Sequence, residues 1–138
     1  MRYMIVVKAT KMTESGAMPE EKMIASMATF HEELERSGAL IDASGLHPTS
    51  QGWRVRYVGA KRTVVDGPFA ETKELIAGYT IFRANSKEEA LAITKRFPNP
   101  VGEGLDAEIE VRRVFELEDF EQNAAVDRFR KLEAERMK

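Results

Sequence analysis

The chain has 138 residues, 43% of them hydrophobic and 32% charged, with a formal net charge of −2 and a pI near 5.8. That length suits one domain, and the balance excludes both a disordered chain and a basic surface built for nucleic acid. With no cysteine, disulfides, thiol catalysis and cysteine-rich zinc sites are excluded as well.

The opening stretch, MRYMIVVKAT, holds an apolar run too short for a signal sequence or a membrane span. A soluble cytoplasmic protein is therefore expected, with no membrane partner. Within that stretch Tyr3–Ala9 is apolar on successive residues, the pattern of a strand covered on both faces. Residues 10–18 read as a loop. Pro19, Glu20 and Glu21 open a helix whose buried stripe is Met23, Ile24, Met27, Phe30 and Leu34, and Gly38 closes it. Ala39–Ala43 reads as either a short strand or an extended connection, and SGLHPTSQG after it as a loop. In WRVRYV, 53–58, Trp53, Val55 and Tyr57 alternate with Arg54 and Arg56. Gly59-Ala60 turns the chain into KRTVVD, 61–66, giving a hairpin.

LIAGYTIFRA, 75–84, is a second strand apolar on both faces. Ser86 and Glu89 match a capping box for a helix carrying Ala90, Leu91, Ile93, Thr94 and Phe97, stopped by Pro98 and Pro100. In AEIEVRRVFEL, 107–117, the phase assigns Ile109, Val111, Val114 and Phe115 to a core and Glu108, Glu110 and Arg112 to the opposite face. Residues 119–138 read as an exposed amphipathic helix along Ala125, Phe129, Leu132 and Arg136.

The order β-α-β-β-β-α-β plus a terminal helix predicts an α+β fold: a ferredoxin-like antiparallel sheet with helices on one face. Residues 1–118 form the expected domain and 119–138 an extension. Two strands need cover on both faces, and two helices shelter only one. A second copy of the sheet is the economical cover, so a homodimer is expected, with Arg54, Arg56, Glu110 and Arg112 in the space between the sheets. Such a space suits a small-molecule ligand.

DGPFAETKE at 66–74, the Gly78-Tyr79 pair, SGLHP, the RFP helix stop and EIEVRRVFELEDF together resemble the YCII-related proteins of the DGPF-domain group, over about residues 2–120. The resemblance implies a dimeric α+β barrel on a ferredoxin-like core. It defines no single reaction. Some DGPF genes lie beside extracytoplasmic-function sigma factors, and the wider group includes a lyase-type enzyme and a proposed His-Asp pair. His31 stands near the position of that histidine, but Phe97 occupies the place of the aspartate, so the pair is not carried over. Arg113 replaces the proline usual after EVR.

DGPFAETKE reads first as a rigid turn: Asp66 accepting turn amides, Gly67 at an unusual φ, Pro68 fixing the next residue, Phe69 as anchor. Glu71, Lys73 and Glu74 are more than a turn needs. Asp66, Glu71 and the loop histidine His47 are the proton-transfer candidates. Arg54, Arg112, Glu110, Lys73 and Trp53 are the candidates for holding a substrate, the arginines by bidentate binding of an anion. His31, on the helix stripe, reads as a satisfied core residue. Two histidines without ligand spacing give no metal site, and no phosphate-binding glycine pattern is present, so no cofactor is expected.

Three functions compete on these residues. One is a cofactor-independent acid–base enzyme, a lyase or isomerase acting on a small anionic or carbonyl compound. Another is a non-catalytic ligand-binding or regulatory accessory protein. The third is an interaction module that uses the terminal helix to dock a partner or build a higher homo-oligomer.

Overall fold

A computed structural model describes residues 1–138. In chain order the elements are β1 (Arg2–Lys8), α1 (Lys11–Glu14), α2 (Glu21–Arg36), β2 (Leu40–Gly45), β3 (Trp53–Val58), β4 (Lys61–Asp66), β5 (Ile76–Arg83), α3 (Lys87–Lys95), β6 (Ile109–Arg113) and α4 (Ala124–Arg136). Four strands make one antiparallel sheet in the order β2-β5-β1-β6, while β3 and β4 pair only with each other. The two strands apolar on both faces, β1 and β5, are the two central ones.

The helices form where their end signals stand. In α2, Gly38 takes a φ of 79° just past the end, and Ala39 donates back to Leu34. Pro19 lies one residue outside, with Glu20 at the N-cap. At α3 the Ser86 hydroxyl accepts from the Glu89 amide, and the Glu89 carboxylate reaches the amide of Asn85. The expected loop at 10–18 holds one helical turn, α1, because Thr10 and Thr13 cap each other reciprocally.

Directly opposed residues of an antiparallel pair share a face. Tyr3, Ile5 and Val7 oppose Phe82, Thr80 and Gly78 on one side and Arg113, Val111 and Ile109 on the other. On this face α2 and α3 bring Phe30, Leu34, Ala90 and Ile93 onto Ile5 and Phe82, the two fully buried side chains of the core. Each such side chain contributes about 1.5–3 kcal/mol. The other face carries Met4 and Val6 of β1, Tyr79 and Ile81 of β5, Glu110 and Arg112 of β6, and Asp42 and Ser44 of β2. All eight are half-buried or exposed in the single chain.

The reading left open for Ala39–Ala43 resolves as a strand, β2, and two expectations change. A register shift between Leu40 and Asp42 turns Leu40 to the core and Asp42 to the open face, which hides the alternation in ALIDA. The hairpin stands apart from the sheet, so Arg54 and Arg56 do not share a sheet face with Glu110 and Arg112. Phe115 also leaves its assigned core position: it follows the end of β6 and is 68% exposed.

Candidate functional site on the open sheet face

β1 and β6 place three charged side chains side by side on the open face. Lys8 Nζ donates to Glu110 Oε1 at 3.3 Å, and Arg112 Nη1 approaches Glu110 Oε2 at 3.5 Å. The Lys8 hydrogen bond first, then its charge and the Arg112 contact, hold the Glu110 carboxyl below the usual carboxylate range. Glu110 is thus ionised and acceptor-only. Arg112 spends one weak contact on it and keeps most of its guanidinium free.

Across the same face Tyr79 donates its hydroxyl to Asp42 Oδ2 at 2.8 Å. Ser44, Tyr79, Val6 and Glu110 form one cross-strand row, and Asp42, Ile81, Met4 and Arg112 the next. Tyr79 and Glu110 are therefore two strands apart, about 10 Å between backbones. Met4, Val6 and Ile81 make an apolar floor between a carboxylate with two cations and a phenol with its carboxylate.

A second cluster forms at the root of the hairpin. Gly67 donates to the Gly52 carbonyl at 2.9 Å, and the Phe69 amide donates to Thr49 Oγ1 at 3.0 Å. The Thr49 amide and hydroxyl both donate to the Glu14 carboxylate, at 3.0 and 2.5 Å. Arg54 lies over the Phe69 ring at 3.7 Å. The DGPF turn is a clamp that seats the hairpin on the SGLHPTSQG loop. Its mechanics differ from the expectation. Gly67 has no positive φ; glycine is required because a Cβ would lie 1.8 Å from the Thr49 carbonyl oxygen. Asp66 accepts no turn amide; its exposed carboxylate lies across the ladder from Trp53.

Of the residues singled out in the sequence, Glu110 and Arg112 come together, joined by Lys8. Trp53, Arg54 and Asp66 gather at the hairpin root. His47, Glu71 and Lys73 are exposed in the neighbouring loops and make no side-chain hydrogen bond to protein. His31 is satisfied: Nδ1 donates to the Met27 carbonyl at 2.7 Å, and Nε2 meets the hydroxyl of the buried Thr80 at 2.8 Å. Phe97 stands edge-on to the His31 ring, with centroids 6.3 Å apart, where the resemblance would put an aspartate. Lys8, Tyr79 and Asp42 were missed. Lys8 shares the parity of Met4 and Val6, and that parity was a readable signal.

Fold and site together define a ferredoxin-like α+β domain with a charged, apolar-floored sheet face that its own two main helices leave open. The chain belongs to the YCII-related domain family, which matches residues 1–118. An uncharacterized protein of Rhizobium meliloti is 29% identical over 80 residues, or 58% of this chain. The chain spans 64% of that relative's length. Among solved structures, 5-chloro-2-hydroxyhydroquinone dehydrochlorinase from Burkholderia phenoliruptrix, in complex with 2,5-dihydroxybenzoquinone, is similar with a TM-score of 0.43 and 16% identity. The similarity covers 83% of this chain and 94% of that one. No helix is long and apolar enough to cross a membrane.

Proposed function

We propose that the protein binds a small anionic or carbonyl compound on the open sheet face, with a second copy of the chain closing the space. The observation that carries this reading is the Glu110 carboxylate held ionised by Lys8, beside an Arg112 whose guanidinium is largely uncommitted. An anion docks on Arg112, and its apolar body lies on Met4, Val6 and Ile81. Closing the face with a second sheet removes water and strengthens each of these contacts.

Acid–base chemistry of the lyase or isomerase kind is a second reading, and one observation favours it. Glu110 is a carboxylate base on one side of the floor, and Tyr79, hydrogen-bonded to Asp42, presents a phenol on the other. His47, Asp66 and Glu71 are rim groups in this proposal. Their loops lie toward the sheet end that carries Lys8, since Leu46 donates to Ala77, and Ala9 to Leu75.

A thermal-shift screen of small carboxylates, enediols and phenolic acids tests binding. A hit should raise the midpoint for the native chain, and Arg112→Met should weaken it about tenfold or more, as removal of a charge-assisted pair does. Glu110→Gln should preserve binding of the anion and abolish any turnover. A hit indifferent to both substitutions would place the ligand elsewhere and sink the reading.

A further inference from the structure

The hairpin is an exposed ribbon without cover from its own chain. Of the residues in β3 and β4, all but Val65 are exposed. One face carries Trp53, Val55, Tyr57 and Val64, between 41% and 66% exposed, together with Arg62, whose guanidinium lies 4.9 Å from the Tyr57 ring centroid. A two-stranded ribbon alone is marginal in water, and here only the root is clamped. The sequence nevertheless spends four large apolar side chains on one face of it.

The charge of the ribbon is equally out of place. Arg54, Arg56, Lys61 and Arg62 against Asp66 give residues 53–66 a net charge of +3 in a chain of −2. Residues 103–121 are the opposite, with eight carboxylates against Arg112 and Arg113. That segment also exposes the Phe115–Phe120 pair, stacked at 4.9 Å between centroids. The aromatic face carries Arg62 and Asp66, while Arg54, Arg56 and Lys61 lie on the ribbon's other face, so the ribbon as a whole is aromatic and cationic and the 103–121 segment aromatic and anionic.

Within one chain the two surfaces sit at opposite ends of the sheet. The hairpin root joins at the end where Lys8 pairs with Ile76, and Phe115 leaves at the end where Val114 donates to Arg2. The seven residues of β1 separate those ends by roughly 20 Å. The hairpin springs from the β2–β5 side and Phe115 from the β6 edge, so the two lie on a diagonal of the sheet. If two copies face each other about a two-fold axis perpendicular to that diagonal, each hairpin lies over the β6 end of the other copy.

We infer that the hairpin is an arm that closes on a second copy of this chain, its Trp53–Tyr57 face covering Phe115 and Phe120 of the partner subunit. The contact is made twice, once by each arm. The opposite charges steer the encounter, and Arg62 lies on the docking face among the partner's carboxylates. The inference rests on the dimer of the proposed function and adds its axis and its arms.

The absence of native cysteine gives a direct test. Tyr57→Cys and Phe120→Cys chains, mixed and treated with a short bis-maleimide, should give a cross-linked heterodimer that neither chain gives alone. In parallel, Arg62→Glu should weaken the dimer about tenfold at low salt, with recovery when Glu118→Arg and Glu121→Arg are added. An unlinked mixture, or linkage only when both cysteines occupy one chain, overturns the inference. Val6→Glu separates it from the proposed function. If Val6→Glu gives monomers but the cysteine mixture stays unlinked, the arm contact falls alone. If the mixture links and Val6→Glu leaves the mass unchanged, the arm stands and the face-to-face reading falls.

Discussion

Gly67 shows how one missing atom can hold a motif together. Its Cα sits against the Thr49 carbonyl so closely that any Cβ would lie inside van der Waals contact with backbone. Backbone cannot swing aside as a long side chain can. Gly67→Ala should therefore separate the DGPF turn from the 46–52 loop and loosen the Phe69–Thr49–Glu14 chain of hydrogen bonds. We expect a destabilisation of about 2–3 kcal/mol in urea unfolding, at the upper end for overpacking. A change under about 0.5 kcal/mol, the level of an ordinary surface substitution, would show that the clamp yields freely. The residue types of this turn were readable in the sequence, but their partners were not. Nothing in DGPF announces Thr49 or Glu14, which lie about twenty and fifty residues upstream. The same holds for Lys8, whose meeting with Glu110 depends on β1 pairing with β6.

Elements followed the sequence wherever one period ran unbroken. In α2 the stripe of Met23, Met27, Phe30 and Leu34 turns inward as expected, but Ile24 is 51% exposed. The double-sided strands β1 and β5 were legible because they keep one register from Arg2 to Val7. β2 stayed open between a strand and an extended connection, since its bulge at Ile41 breaks the alternation. The C-terminal segment ties back to β1 through one ion pair: Arg2 Nε donates to Glu116 Oε1 at 2.9 Å. That hydrogen bond, more than the accompanying charge, holds the Glu116 carboxyl below its ordinary value of 4.5, against a smaller opposing effect of burial. Arg2 is raised by the same bond and stays charged throughout the acid range. A carboxyl lowered in the folded state contributes fully above its unfolded value, and the contribution is lost as pH falls through the folded value. Glu116→Gln should thus cost about 0.5–1 kcal/mol at neutral pH. Its disadvantage should shrink as pH falls below about 4.5 and vanish once the pH lies below the lowered value of the folded carboxyl. Parallel urea midpoints across that range check the point; a constant difference at every pH would mean that the pair's ionisation contributes nothing.

For the whole molecule, area decides how much a second copy would have to cover in the proposed dimer. Four strands of about seven residues present a face of roughly 20 by 20 Å, about 400 Å² per copy in projection. Two such faces give about 800 Å² before side-chain relief is counted, whereas stable interfaces bury about 1,200–2,000 Å². The sheet face is therefore the centre of the proposed contact, and surfaces beyond it must supply the remainder. The hairpin arms are sized and placed for that role. The two parts should respond differently to mutation. Val6 lies on β1 between Tyr79 and Glu110, at the middle of the open face, so Val6→Glu puts a charge where two sheets would meet. We expect sedimentation equilibrium to read a monomer for Val6→Glu, with an unchanged far-ultraviolet spectrum because the helix-side core is untouched. Tyr57→Ser, at the rim, should leave a dimer with a dissociation constant raised about tenfold to a hundredfold, the effect of removing one aromatic ring from each of two arms. The reverse order, with Val6→Glu tolerated and Tyr57→Ser dissociating the protein, would mean that the arms and not the sheets form the principal interface. The Lys8–Glu110–Arg112 face would then remain open to solvent, and its ligand would have to bind without a second sheet above it.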